Sequence, residues 1–345
     1  MSQQFLTANS YFGLAKETSR GTLPASGAVF IPVTSPQVTP TQTFIRDEAF
    51  RGSPTMVFDQ VQGVRHDEYD FKTYLFADTF PNYMVALLGG PDTKTGSGAY
   101  SHSIGLYNNS ATGSQPSSYS LLDFDGANYF TITGAQASDA TVSFGAEVAA
   151  DIAVKFMGNP YTSYTTAPSP FGTLSLSTEH LIPAWNTSIT VGGTASGGTV
   201  TGGTAYTYVS TGELKIDRKT APIFTMGTQA PHTVFAGPLE VSGKFTAVLD
   251  SQSDPWSTGS GASALTRDPL PLVITLTDPN DTSVTNAITF QMSAVQFQNV
   301  KRTRGKDYVE VEIEFTANAN SNDSGSSSTY SPLLTITQNA ISTTY

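Results

Sequence analysis

The sequence predicts a mainly β protein, a sandwich or barrel carrying one short helix, and three observations carry that prediction. Charged residues make up 13% of the 345, about half the share usual in soluble domains, while Gly, Ser and Thr are abundant, which is the composition of strands joined by turns. Many short segments alternate apolar and polar residues with a period of two and close within a few residues at Gly, Asp or Pro. Only one segment carries both a start and a stop signal for a helix.

Taken in order, residues 1–50 run into "GTLPASGAVFIPVTSPQVTPTQTFIRDEAFRG", polar and proline-punctuated with brief apolar runs such as "AVFIPV". This reads as an extended arm with short strands that lies on the chain's own body or on a neighbour. Its small apolar surface predicts that its order depends on assembly. Residues 51–330 form the β body, entered through the strand pattern "VRHDEYDFKTYLF". In "DTFPNYMVALLGG" Asp78 can cap, Pro81 fits the first turn, and Gly89 and Gly90 stop the run, which predicts a helix near 79–88. Residues 91–118 read as loop around one brief strand.

Strands follow at "YSLLDF", "NYFTITGAQ", "ATVSF" and "VAADIAVKF". The glycine-rich "VGGTASGGTVTGG" at 191–203 has the composition of a phosphate loop but no Lys-Ser/Thr ending, so it reads as an inserted turn or hairpin tip. "GELKIDR", "PLEVSGKFTAVL", "LPLVITLTD" and "NAITFQMSAVQFQNV" are further strands, with a second insertion near 251–264. Residues 331–345 are left as a C-terminal tail.

The last strand of the body, "KDYVEVEIEF", sets Val309, Val311, Ile313 and Phe315 on one side and Glu310, Glu312 and Glu314 on the other. On this pattern alone, lysine at all three acidic positions would leave the strand folded. Directly before it, "KRTRGK" supplies Arg302, Arg304 and Lys306, a basic cluster suited to pairing with carboxylates of a neighbouring copy or of the same chain.

A net charge of −11 argues against a protein that grips nucleic acid by neutralising phosphates. The absence of cysteine excludes disulfides, thiolate metal sites and thiol nucleophiles. His66, His102, His180 and His232 are scattered, without HExxH or similar ligand spacing, and there is no GxSxG elbow. The expectation is therefore no enzyme, no cofactor and no metal site. No run approaches a membrane helix in length, and the opening residues lack the pattern of a secretory signal, so the expected site of folding is a cytoplasm. A carbohydrate-active or carbohydrate-binding β protein using Asp123 and Asp125 of "LLDFDG" is one alternative, although Asp-x-Asp-Gly between strands is commonly a turn. A capsid or surface-lattice protein is the other.

The segments "AKETSRGT" (15–22), "FIPVTSP" (30–36), "RDEAFRGS" (46–53), "VFDQVQGVRHDEYDF" (57–71) and "ADTFPNYMVALLG" (77–89) come in an order that resembles the major tail tube proteins of long-tailed bacteriophages of actinobacteria. "ITGAQASDATVSFGAEVAADIAVKFMG" (132–158) and "IDRKTAPIFTMGTQAPHTVFAGPLEVSGKFTAVL" (216–249) extend the likeness, which spans roughly residues 10–315. The resemblance implies a β-sandwich tail tube fold with a flanking helix and rings, usually of six, stacked into a tube whose channel is lined by four strands from each copy. It implies tape measure and tail terminator proteins as partners besides further copies of the chain, and DNA that passes without specific binding. It places the protein in the virion tail, assembled in the host cytoplasm, with no catalytic residues. A negatively charged wall repels phosphate, so Glu310, Glu312 and Glu314 are the candidate channel lining, and Arg302, Arg304 and Lys306 the candidate contacts between subunits.

Overall fold

A computed structural model describes residues 7–175, 180–196, 198–206, 208–249, 269–280, 286–304, 307–319 and 330–345. The predicted insertion at 251–264 lies outside them. The strands in chain order are β1 (Tyr11–Lys16), β2 (Ala28–Ile31), β3 (Gln37–Asp47), β4 (Asp59–Tyr74), β5 (Thr93–Ser97), β6 (Ala99–Ile104), β7 (Tyr119–Phe124), β8 (Tyr129–Gly145), β9 (Asp151–Gly158), β10 (Thr162–Tyr164) and β11 (Thr187–Val191). They continue with β12 (Thr194–Ser196), β13 (Thr199–Thr201), β14 (Thr204–Tyr206), β15 (Val209–Asp217), β16 (Ala221–Ile223), β17 (Thr233–Phe235), β18 (Glu240–Val248), β19 (Leu270–Thr277), β20 (Ala287–Thr303), β21 (Glu310–Ala317) and β22 (Leu334–Asn339). The α-helix, α1, is Phe80–Leu88. The fold is mainly β, as the alternation predicts.

Three antiparallel layers share two long strands. The broadest runs β3-β4-β9-β8-β15-β18-β21-β20. The first half of β20 pairs with β19 and β22, which carry β11, β14, β6 and β5. The first half of β8 pairs with β7 and β10, and β7 carries β1 and β2. The segments "NYFTITGAQ" and "ATVSF" are thus one bent strand rather than two. Gly134 at φ 62 and a register shift between Ala137 and Asp139 turn β8 from one layer into the next.

The apolar faces meet in one core. Tyr69 and Phe71 of β4 pack against Phe12 of β1, with ring centroids 4.8 and 4.7 Å apart, and Phe71 lies 5.8 Å from Tyr83 of α1. Phe80 of α1 meets Phe290 of β20 edge-on at 5.5 Å. Every residue of α1 except Asn82 is buried, so the helix is a core element. Its cap position is Thr79 rather than Asp78, and Thr79 makes no side-chain cap hydrogen bond. Gly89 ends the helix at φ 76 and donates its N–H to Val85, as the glycine pair predicts.

The N-terminal segment divides. Residues 11–31 lie on the chain's own body, with Phe12, Leu14, Phe30 and Ile31 buried. A buried carboxylate fixes this segment. Glu17 accepts hydrogen bonds from Gly21 N (2.7 Å), Gly134 N (2.8 Å), Ser118 Oγ (2.6 Å) and Ser120 Oγ (2.7 Å). Four donors converging on one carboxylate leave nothing for them to bond if it is removed. Glu17→Ala is expected to cost about 3 kcal/mol in a denaturant titration.

Two further elements depart from the expected pattern and a third keeps to it. Residues 91–118 hold the β5–β6 hairpin rather than one strand. The tail holds β22, which sits between β20 and β6 and is a central strand. The glycine-rich insertion is a hairpin of β12 on β13, carried on the β11–β14 pair. Gly193 there has φ 97, and a Cβ on it would come within 2.6 Å of the Thr201 carbonyl oxygen, so the turn requires glycine.

Candidate functional site: a charged sheet face and a protruding hairpin

Away from the core, the broadest sheet presents one polar face whose side chains are in register across strands. Asp70 of β4 stands opposite Lys155 of β9, which stands opposite Asp139 of β8, followed by Asp217 of β15 and Glu240 of β18. Toward the other end of the same strands the row runs Tyr74, Asp151, Ser143, Glu213, Lys244, Glu314 and Asn299. Between these rows lie Lys72 and Lys215, and beyond them Glu312 faces Lys301 and Thr246 while Glu310 faces Thr303 and Val248. With Glu68, the face holds ten carboxylates and five lysines.

The lysines are tied to their neighbours. Lys155 pairs with Glu68 at 2.7 Å, Lys72 with Asp151 at 2.9 Å and Lys244 with Glu213 at 3.5 Å. Burial pushes the Asp139 carboxyl up from its ordinary range, and Asp217 adds to the shift while Lys155 opposes it. Asp70 is raised by burial as well, with Lys155 opposing and Glu68 and Asp139 adding to it. A folded-state pKa above the unfolded one favours the protonated form, so each group's contribution is greatest at acid pH and falls as pH rises through the folded value. Asp139→Asn is therefore expected to stabilise the subunit by about 0.5 kcal/mol at neutral pH, read from its melting curve, and to reduce the fall in stability as pH rises through the acid range.

Glu310, Glu312 and Glu314 lie on this face, and Val311, Ile313 and Phe315 behind them are buried, as the alternation predicts. The strand's acidic side is not a bare row of carboxylates. Asn299 Nδ2 donates to Glu314 at 2.5 Å, and the cross-strand neighbours Lys244 and Lys301 interleave positive charge. In the basic cluster Lys301 joins the polar face, whereas Arg302 stands opposite Val311 and Arg304 is exposed past the strand end. Lys306 lies outside the described residues.

The second feature is the β3–β4 hairpin. β9 pairs with β4 only from Asp67 to Tyr74, and Arg65 N donates to Gln229 O at 2.9 Å, so residues 59–64 run with 43–47 as a two-stranded ribbon, reaching about 20 Å past these contacts. Its root is clamped. Arg65 donates to both oxygens of the buried Asp67, at 3.0 and 2.9 Å, and Tyr161 N donates to the same carboxylate at 2.8 Å. Its outer part carries Phe44, Ile45 and Val61, and the connecting turn carries Phe50 and Met56, 105% and 73% exposed. A ribbon of this kind with an apolar tip lacks the third strand that would stabilise it.

At the opposite end of the same sheet, beyond Tyr74 and Asp151, lie the exposed Val148, Trp185 and Tyr208. Backbone hydrogen bonds from Ala184 N to Val148 O (3.2 Å) and from Ala146 N to Ser210 O (3.0 Å) hold their loops together. Tyr208 keeps a left-handed φ of 69, uncommon for an aromatic residue. Nothing in the sequence joins these residues, because Val148 opens the strand pattern "VAADIAVKF" while Trp185 and Tyr208 lie in separate later segments.

The residues weighed for catalysis have structural partners. Asp123 accepts from the Tyr69 hydroxyl at 3.1 Å, and burial raises its carboxyl while that hydrogen bond opposes the shift. Asp125 accepts from Ala127 N (2.8 Å) and Asn128 N (2.7 Å), which makes "DFDG" a turn. Among the described residues no group of three or more His, Asp or Glu is placed to hold a metal ion, and no helix is long and apolar enough to cross a membrane.

A search of curated proteins finds no match. The family described as phage tail tube protein matches residues 7–317, from the start of the described N-terminal segment through the end of the glutamate strand. A β body with a charged sheet face and a projecting hairpin, covered almost whole by that match, belongs to the phage tail tube protein family.

Proposed function

We propose that the chain is a tail tube subunit that joins copies of itself head to tail into stacked rings around a channel for DNA. The observation that carries this reading is the pairing of an apolar hairpin tip at one end of the broad sheet with an apolar patch at its other end. Two different surfaces that fit each other between copies generate an open stack, whereas a self-complementary surface stops at a dimer. Rings of six, the long-tailed actinobacterial lineage, the tape measure and terminator partners and assembly in the host cytoplasm rest on the sequence likeness. Recombinant protein examined in negative stain is expected to give hollow particles of uniform width. Monomer persisting at high concentration across a range of salt would overturn the reading.

The channel lining in this reading is the polar sheet face, with Glu310, Glu312 and Glu314 part of it and Arg302, Arg304 and Lys306 at the border with the next copy. If four of the seven strands that carry this face line the channel in each of six copies, as the sequence likeness implies, the wall at about 4.8 Å per strand is about 115 Å round and about 37 Å across, wide enough for a duplex. Over the whole face carboxylates outnumber lysines by five, which keeps it repulsive to phosphate, and the paired lysines cannot reach for DNA without breaking their own contacts. Replacing all three glutamates by lysine is expected to cause DNA retention that weakens as salt rises. The same change sets like charges at the 312–301 and 314–244 pairs, so the strand is not indifferent to it and loses about 1 kcal/mol in all.

A further inference from the structure

We propose, resting on the head-to-tail reading above, that Met56 is an oxidation site and that transfer of one oxygen atom from hydrogen peroxide to its sulfur keeps a free subunit from joining the stack. The chain has no cysteine, so methionine supplies all of its sulfur. Among the described residues Met84, Met157 and Met292 are buried in the core, whereas Met226 and Met56 are exposed, at 104% and 73%. Oxidation of a thioether follows its exposure, so a folded subunit offers peroxide these two sulfurs and shields the core. Met226 lies in the loop between β16 and β17, off the ribbon, while Met56 lies in the turn that also carries the fully exposed Phe50.

The turn that presents Met56 is ordered by contacts that do not use its side chain. Phe58 N donates to the Asp47 carbonyl oxygen at 2.9 Å, and Ala49 N donates to the Asp47 carboxylate at 3.0 Å. Arg51 pairs with the same carboxylate and sets its guanidinium 5.1 Å from the centre of the Phe58 ring. Ser53 Oγ donates to Thr55 Oγ1 at 3.1 Å. A change at the Met56 sulfur therefore leaves the turn in place and alters only what the tip offers to a neighbour. In the reaction a sulfur lone pair attacks one peroxide oxygen, the O–O bond breaks, and the second oxygen leaves as water with both hydrogens. The sulfide is oxidised by two electrons to a sulfoxide and the peroxide is reduced. The side chain keeps its length and gains a strong dipole, so a contact that buried a thioether must now strip water from an S=O group. A contact that buries Met56 also shields it, so the modification acts on subunits before they join and spares the finished stack.

The test treats the full chain with dilute hydrogen peroxide at a concentration where it is unassociated, locates sulfoxides by peptide mass spectrometry and follows self-association by sedimentation velocity. Wild-type chain oxidised at Met56 is expected to associate about tenfold or more weakly than the untreated chain, with its circular dichroism unchanged. Met56→Leu keeps an apolar side chain without sulfur, and its association is expected to be the same before and after peroxide. Met226→Leu is expected to respond to peroxide as the wild type does. Methionine sulfoxide reductases with dithiothreitol are expected to restore the association of the oxidised wild type, and stacks formed before treatment are expected to keep Met56 reduced. Association that survives oxidation at Met56, a loss that also appears in Met56→Leu, or oxidation of Met56 equally fast in stack and free subunit would overturn this proposal alone. An untreated chain that stays monomeric would overturn the head-to-tail reading and the proposal with it.

Discussion

Replacing Phe50 and Met56 together by serine is expected to lower self-association at least about a hundredfold and to leave the melting temperature of the isolated subunit unchanged. Each side chain is exposed in the subunit, and burying one against a neighbour contributes about 1.5–3 kcal/mol, so two account for more than two orders of magnitude in an association constant. Nothing in the subunit's own core touches them, hence the indifference of folding. Sedimentation velocity across a concentration series, with a melting curve beside it, measures both halves. A fall in melting temperature without loss of association would show that the hairpin tip serves the fold and not the contact. Val148→Ser with Trp185→Ser, at the far end of the sheet, is expected to give the same phenotype, because a head-to-tail contact is weakened equally from either side.

Phe12→Ala is expected to destabilise the subunit by about 3–5 kcal/mol, the largest effect of any single change considered for stability. Its ring lies between Tyr69 and Phe71 and is fully buried, so the truncation leaves a cavity at the junction of two layers. Denaturant unfolding of the isolated subunit measures it. A cost below about 0.5 kcal/mol, the range of surface substitutions, would mean that the N-terminal strand is ordered only in the assembly. The two substitutions separate the N-terminal region into a part that builds the subunit and a part that reaches beyond it.

What the sequence shows of this molecule follows the range of the physics involved. The helix at 80–88 and the alternation of β21 are local, written in Pro81, Gly89 and the period of two from Val309 to Phe315, and both are found as read. Strand β22 shows the same alternation in "LTITQN", but at six residues beside a Ser-rich stretch the pattern is no stronger than that of a tail, and only its pairing with β20 and β6 makes it central. The joining of two segments into β8 turns on Gly134, where a glycine reads equally well as a stop.

The site is less legible for a related reason. Which lysine stands beside which glutamate depends on cross-strand register, which no single strand carries, so Lys244 and Lys301 could not be placed next to Glu314 and Glu312 in advance. The hairpin is hidden by its own chemistry. Both of its strands are polar and half-exposed, Pro40 fits an edge strand as well as a loop, and the apolar residues toward the tip come in runs of one to three between polar and charged residues. Glu17 sits in the quoted stretch "AKETSRGT", yet its four donors come from three separate parts of the chain.

The most direct test of the account is a cryo-electron microscopy reconstruction of the polymer formed by the purified chain. The account predicts a hollow tube in which the face bearing Glu310, Glu312 and Glu314 is turned to the lumen and the residue 43–64 ribbon of each copy rests near Val148, Trp185 and Tyr208 of the next ring. A closed shell, a solid filament, or a tube that carries this face on its outer surface would contradict it.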